Sequence, residues 1–352
     1  MGIKYCDVFS GLGGFSLAIR AVDPEAECVF ASEIDKNARA VFHANFGIEP
    51  YGDITKIDPA NIPEHDVLFG GFPCQPFSRN GRHYNFNNRT VIGDSRANLF
   101  LNLIAILHVK QPKYFVFENV KGLTKMKNED GSLYMNTILD HIRAAGYNCQ
   151  HKVLDAADYG VPQQRARIFF VGTRADLSDT FEFPKPEPRS ASLFNILEHE
   201  VHDKYFLHNL WKKRTVKKTN SNLPAGTLRL DVLKAIYDNN QNKPTQRTSS
   251  IESVAIIYGE TPSGLPRQQD KIYSPFGISP TIATFSTPCI AIQDDSATWR
   301  QLTPRECTRL QGIPDSFKLA ESDAVAYKQI GNAINVTVVS KLLLNLLGQK
   351  LP

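Results

Sequence analysis

The stretch "DVFSGLGGFSLAI", Asp7–Ile19, reads as the end of a buried strand, a glycine turn and the start of a helix. Glycines at 11, 13 and 14 let the backbone pass close to a ligand while the free amides and dipole of the following helix face it. A strand, turn and helix of this kind is a weak signal by itself. It also departs from the dinucleotide fingerprint, because the sixth position counted from Gly11 is Ser16, where that pattern takes Gly or Ala. Glu33 follows the next apolar run, "CVFAS", about 20 residues on, where a nucleotide-binding sheet puts an acid on ribose hydroxyls. A nucleoside-bearing cofactor is favoured, and nothing in the turn demands a phosphate.

Outward from this stretch, β-rich runs alternate with helical patterns. "IKYCDVF", "CVFAS", "DVLFG", "KYFVFE", "HKVLDA" and "RIFFVGT" read as strands; "FSLAIRAV", "DKNARAVFHANF", "RANLFLNLIAILHV" and "LYMNTILDHIRAAG" read as helices. The rhythm predicts an α/β fold, a mostly parallel sheet flanked by helices. It breaks at "FPKPEPRSAS", residues 183–192, whose closely spaced prolines predict a linker. The next hundred or so residues carry short strands and polar stretches such as "DNNQNKPTQRTSS", and predict a smaller, loop-rich domain. "LTPRECTRLQG" offers a Thr-Pro helix start. The closing "IGNAINVTVVSKLLLNLLGQ" predicts a helix apolar on much of its circumference, hence buried, returning to the first domain. The expected division is 1–188, 189–322 and 323–352.

The 352 residues are 42% hydrophobic and 22% charged, an ordinary globular composition with length for one large domain and a smaller one. No apolar run matches a membrane span and the N-terminus lacks a basic-then-apolar leader, so a cytoplasmic protein away from membranes is expected. The six cysteines, at 6, 28, 74, 149, 289 and 307, form no C-x-x-C pair, which argues against a zinc ribbon and a disulfide framework. Most of them read as small buried apolar residues, and no metal is expected. "HEVH" at 199–202 is one residue short of the H-E-x-x-H zinc helix and reads as a solvated helix. The net charge of +4 is compatible with a polyanionic partner without requiring one. "KKRTVKK" (212–218), followed by Arg229, Lys234, Lys243, Arg247, Arg267 and Lys271, is either a solvated face or an electrostatic footprint.

Four further motifs carry chemistry. In "GGFPCQPFS" Cys74 stands between Pro73 and Pro76, which cannot occupy mid-helix or a central strand, so the thiol belongs to a loop leaving a buried strand. "YGDIT" puts Asp53 in a turn, an acceptor suited to an adenine amino group or simply to its own backbone. "VFENV" brings Glu118 and Asn119 to the end of a buried strand, where a carboxyl is costly unless paired or functional. "QQRARIFFVG" sets Arg165 and Arg167 two apart, on one face at the start of a later strand. Each has a structural explanation, but together they lie in order at the strand ends where an open α/β sheet gathers its ligands.

In these blocks, with "LTPRECTRLQGIPDSF" and "GNAINVTV", the chain resembles the DNA (cytosine-5)-methyltransferases over nearly its whole length, from residue 7 to about 339. The resemblance implies a Rossmann-like S-adenosylmethionine-dependent methyltransferase fold with a smaller DNA-recognition domain. The chemistry it implies accounts for the residue types. C5 of cytosine is a poor nucleophile until a thiolate adds to C6, and Cys74 is the residue for that attack. An ordinary thiol of pKa about 8.5 is mostly protonated at neutral pH, so the ring must be made more electrophilic. Glu118, sharing a proton with ring N3, does this. Arg167 is expected on O2, with Arg165 ordering the pocket and Pro73 and Asn119 aiming the thiol-bearing loop. The base that removes the C5 proton is not identified.

The resemblance also assigns binding residues. Phe9, Gly11, Leu12, Gly13 and Gly14 surround the methionine and ribose portions of S-adenosylmethionine, which leaves as S-adenosylhomocysteine. Glu33 takes the ribose hydroxyls and Asp53 the adenine amine, while Ile34, Ile54, Pro73, Leu99, Asn332 and Ile334 complete the wall. Relatives carry tryptophan after the acid, where this chain has Ile34, so adenine would rest on an aliphatic side chain. Cytosine must leave the stack to react, and the polar, basic stretch after Cys74 suits a loop closing on double-stranded DNA. Phe72, Gln75, Ser78, Arg82 and Arg96 are expected on the substrate side. Arg267, Gln268 and Gln269 are expected at the target sequence, Gln268 in the space left by the extruded base. A monomer serving a restriction-modification system, its endonuclease a separate protein, completes the expectation. A tRNA cytosine-5 methylase, a nicotinamide oxidoreductase and a non-catalytic DNA-binding relative are the alternatives.

Overall fold

The computed structural model describes residues 2–72, 99–128, 130–178, 180–206, 253–256, 271–273, 277–282, 289–291 and 299–348. Six strands form the main sheet: β1 (Lys4–Val8), β2 (Glu27–Ser32), β3 (Val67–Gly71), β4 (Tyr114–Val120), β5 (Tyr147–Asp155) and β6 (Ala166–Arg174), in the order β2-β1-β3-β4-β6-β5. β1 to β4 run parallel to one another, and β6 runs antiparallel to both its neighbours, β4 and β5. The helices α1 (Gly14–Val22), α2 (Lys36–Phe46), α3 (Leu99–Lys110) and α4 (Tyr134–Ala144) connect or follow these strands.

Successive side chains of a strand face opposite sides, and a sheet covered on both faces must be apolar on both. Tyr5, Phe69 and Val116 accordingly enter one apolar cluster with Phe15 and Ile19 of α1. Their sequence neighbours Cys6, Leu68, Phe115 and Phe117 enter a second with Leu103 and Leu107 of α3 and Ile138 of α4. Cys6, Cys28 and Cys307 are buried free thiols, the role composition suggested.

A second sheet of four short strands, β7 (Ser253–Ile256), β8 (Lys271–Tyr273), β9 (Cys289–Ala291) and β10 (Trp299–Gln301), has the order β10-β9-β8-β7, with β8 and β9 parallel. Three helices follow. α5 (Pro304–Leu310) starts at the Thr-Pro pair, with the Thr303 hydroxyl accepting the Glu306 N–H in a capping box. The closing segment is two helices rather than one. α6 (Asp323–Asn332) ends where Ala333 turns extended, and Asn335 begins α7 (Val336–Leu347) by accepting the Val338 N–H. Ser340 Oγ on α7 donates to the Ala18 carbonyl of α1 at 3.4 Å.

Residues 323–347 are, among the described residues, the one segment long and apolar enough to cross a membrane; it is these two helices, mostly buried. The "HEVH" segment is solvated as expected but not helical. His199 and Glu200 lie exposed in bends, and His202, also exposed, caps a short 3-10 turn at Asp203–Tyr205.

Candidate active site

The carboxyl ends of β1, β2, β3 and β4 form one edge, and the backbone there is unusual. Phe9 takes a positive φ of 58°, uncommon for a bulky residue, and Gly11 and Gly13 follow at 53° and 84°. The turn is tied down on both sides. Ser10 N–H donates to the Ser32 carbonyl at 3.0 Å, and Glu33 Oε2 accepts the Gly11 N–H at 2.9 Å while its Oε1 accepts the Asp35 N–H at 2.8 Å. Glu33 therefore fixes the glycine turn against the end of β2. Gly14 is a glycine for packing reasons, because a Cβ there would lie 2.4 Å from Cγ1 of Ile334. Among the described residues, a Cβ on Gly11 would meet nothing within 4 Å, so none of them closes this side of the turn.

Ser10 Oγ and Ser32 Oγ, both buried beside this turn, have no hydrogen-bond partner among the described residues. Orphaned hydroxyls, an open glycine and an exposed Ile34 fit a nucleoside-bearing group rather than a closed core. Leu12 and Ile54 are buried in the core, so Leu12 presents backbone rather than side chain to this edge. Asp53 does what a turn aspartate does, its Oδ1 accepting Thr55 N–H at 3.0 Å and Thr55 Oγ1–H at 2.8 Å. Those two bonds hold its carboxyl below the usual carboxylate range.

Two strands along the same edge, at the end of β4, lies a charged cluster. Arg167 Nε stands 3.1 Å from Glu118 Oε1, and Arg167 Nη1 donates to the Ala166 carbonyl at 3.0 Å. Burial pushes the Glu118 carboxyl up from its ordinary range, against the opposing pull of Arg167 and Arg165. Arg165, 3% exposed, is held by carbonyls: Nη2 donates to Ala333 at 2.6 Å and Gly331 at 3.1 Å, and Nη1 to Ile282 at 3.3 Å. One guanidinium thus joins the start of β6 to the second region and to the "GNAI" segment. Arg165 itself precedes β6, whereas the two-residue spacing predicted both arginines on the strand.

Gly71 pairs with Glu118 across β3 and β4, and its missing Cβ would lie 4.0 Å from Glu118 Oε2. Asn119, buried, donates from Nδ2 to the Phe72 carbonyl at 3.3 Å and accepts the Val120 N–H on Oδ1 at 2.7 Å. The carboxyl end of β3 is therefore anchored within two residues of position 74. Pro73, Cys74, Gln75, Ser78, Arg82 and Arg96, and likewise Arg267, Gln268 and Gln269, lie outside the described residues. Among the described residues no group of three His, Cys, Asp or Glu is arranged to hold a metal ion.

The family model described as C-5 cytosine-specific DNA methylase matches residues 3–347. The chain belongs to that family. This DNA cytosine-5-methyltransferase is 33% identical over 349 residues to the Type II methyltransferase M.HhaI of Haemophilus parahaemolyticus, covering 98% of this chain and 94% of the relative. It is 36% identical over 338 residues to the Type II methyltransferase M.NlaX of Neisseria lactamica, covering 96% and 93%. Among solved structures, the Dnmt2 methyltransferase of S. pombe superposes with a TM-score of 0.67 at 20% identity over 99% of each chain. The Entamoeba histolytica methyltransferase EhMeth does so at 0.67 and 15% identity over 100% of each. The methylase has the Rossmann-like fold of S-adenosylmethionine-dependent enzymes, and S-adenosylmethionine is the family's methyl donor.

Two features of the methylase escaped sequence reasoning. Asp7, wholly buried on β1, accepts the Ser16 hydroxyl on Oδ2 at 2.7 Å while Oδ1 has no hydrogen-bond partner among the described residues, and burial pushes this carboxyl up to about 7. Ser16, the residue that breaks the dinucleotide fingerprint, is thus the partner of the strand's own aspartate. Arg300 on β10 and Glu306 on α5 form a buried bidentate pair, Nη1 to Oε2 at 2.6 Å and Nη2 to Oε1 at 2.5 Å. Glu306 also accepts the N–H groups of Thr303 and Glu198, each at 2.8 Å. An acid and a base six residues apart, across a strand–helix boundary, leave no periodic signal.

Proposed function

We propose that this enzyme methylates C5 of a cytosine swung out of a specific duplex DNA sequence, with Cys74 as nucleophile. The observation that carries the reading is the Glu118–Arg167–Arg165 cluster set against Gly71 and Phe72, the lead-in to Cys74. The Cys74 thiolate adds to C6 while Glu118, whose protonated form burial favours, donates to ring N3 and draws electron density from the site of attack. Arg167 orients the carboxyl and hydrogen-bonds cytosine O2. Arg165 keeps β6, the second region and the "GNAI" segment in register, and Asn119 and Pro73 aim the thiol. S-adenosylmethionine supplies the methyl group that C5 takes up. Expulsion of Cys74 follows when the C5 proton leaves.

For the cofactor, Phe9 to Gly14 and Glu33 hold the methionine and ribose portions, Asp53 the adenine amine, and Ile34, Ile54, Pro73, Leu99, Asn332 and Ile334 the surrounding wall. S-adenosylhomocysteine is the product, with no metal taking part. Phe72, Gln75, Ser78, Arg82 and Arg96 contact the substrate. Residues 189–322 serve as the recognition region, with Arg267, Gln268 and Gln269 at the target bases, between a catalytic domain 1–188 and a returning segment 323–352. The enzyme acts as a cytoplasmic monomer, the modification half of a restriction-modification pair whose endonuclease is a separate protein.

Duplex DNA carrying 5-fluorocytosine tests the reading, because fluorine at C5 blocks elimination and leaves the protein covalently attached. Wild type should trap the DNA and C74S should not; an adduct that survives C74S refutes the nucleophile. Labelled methyl groups should enter duplex DNA and not tRNA.

A further inference from the structure

Two large apolar side chains stand out in solvent at the carboxyl end of β2: Ile34, 72% exposed, and Tyr51, 61% exposed. Tyr51 is not on a flexible tip. Its N–H donates to the Ala31 carbonyl at 2.8 Å, its carbonyl accepts the Glu33 N–H at 2.8 Å, and it bridges Ser32 as a parallel neighbour. These bonds fix its backbone beside Glu33 and Ile34, two residues before Asp53. The phenol ring stacks on Phe30 with centroids 5.0 Å apart and planes 18° from parallel. Phe30 is buried in the core cluster that also holds Ile54 and packs Leu99. One face of the Tyr51 ring is therefore backed by a buried ring, while most of the side chain faces water.

An exposed aromatic ring held rigid on both backbone and side chain is a ready stacking surface, since it loses little freedom when a planar ligand covers it. Three of the residues around it, Glu33, Ile34 and Asp53, are those assigned to the ribose and adenine of the cofactor. We infer that Tyr51 is the aromatic platform on which the adenine of S-adenosylmethionine stacks, supplying from the neighbouring chain segment the ring that Ile34 does not provide after Glu33. This rests on the reading of this sheet edge as the cofactor site. It makes Tyr51 a cofactor-contacting residue and Ile34 the aliphatic opposite wall.

Calorimetric titration of S-adenosylhomocysteine into the full chain and its Y51F, Y51L and Y51A variants is the test, with circular dichroism as the check on folding. Base–aromatic stacking predicts that Y51A and Y51L bind about 10-fold more weakly than wild type while Y51F stays within about twofold. Y51L keeps an apolar cover over Phe30 without a π face, so it separates stacking from support of the core and decides the matter if Y51A fails to fold. Wild-type affinity in Y51L overturns the proposal, whatever Y51A does. A wild-type chain that takes up no S-adenosylhomocysteine overturns the cofactor reading itself, an outcome distinct from equal binding by all four proteins.

Discussion

Arg167 Nε lies 3.1 Å from Glu118 Oε1, with the two side chains only 16% and 12% exposed, at the point where β4 and β6 run antiparallel. The ion pair does not make the carboxyl more acidic than usual. Desolvation outweighs both arginines, and Glu118 keeps its proton to higher pH than an ordinary glutamate. A carboxyl meant to protonate a ring nitrogen needs that bias.

E118Q should therefore lose about 10²–10⁴-fold in kcat while binding S-adenosylhomocysteine as wild type does. In wild type, kcat should fall as pH rises through the raised pKa, because the working form is the protonated one. The alkaline limb should be absent from the residual activity of E118Q. Single-turnover rates against pH for both proteins check this, and an unchanged limb in E118Q would assign it to another group.

Asp7 should give the main sheet a pH-dependent stability of its own. Its folded-state value, about 7, is raised above the unfolded 3.8, so its contribution is fully present below pH 4 and is lost as pH rises toward 7. Each pH unit in that window removes about 1.4 kcal/mol from this group's contribution. D7N, which cannot ionise, should show a flatter urea midpoint between pH 5 and 7 than wild type. Parallel curves for the two proteins would contradict the assignment.

The Arg300–Glu306 pair should behave as a buried charge pair does. R300M or E306Q alone leaves a desolvated partner and should cost about 3–5 kcal/mol, whereas R300M/E306Q together should cost much less than the sum. Denaturant unfolding of the four proteins measures the coupling. Because Glu306 also holds the backbone of Glu198 and Thr303, the single variants should lose DNA binding before cofactor binding.

G14A should destabilise the chain by about 1–3 kcal/mol, because its methyl would meet Ile334 Cγ1 at 2.4 Å. G14A/I334A should recover most of that loss. Thermal unfolding of the single and double variants decides whether the contact between α1 and the "GNAI" segment is the cause.

Most of the candidate site is local and was legible in the chain. The glycine turn, Glu33, Glu118 and Asn119 sit at ends of continuous hydrophobic runs and Asp53 in a turn of its own, and strands buried on both faces and joined by helices put their successive parallel ends on one edge. What the arginines do there depends on strand direction, which residue order does not carry. Had β6 continued the parallel rhythm, its beginning, with Arg165 and Arg167, would lie at the edge opposite the carboxyl end of β4. By entering the sheet antiparallel between β4 and β5, β6 brings its first residues to Glu118. Likewise, "GNAINVTV" announces an apolar helix, but only the packed structure ends α6 at Asn332, restarts at Asn335 and seats Ile334 on Gly14. Side-chain pattern fixes which residues are buried and which stand at strand ends; hydrogen bonds between distant strands decide which ends meet.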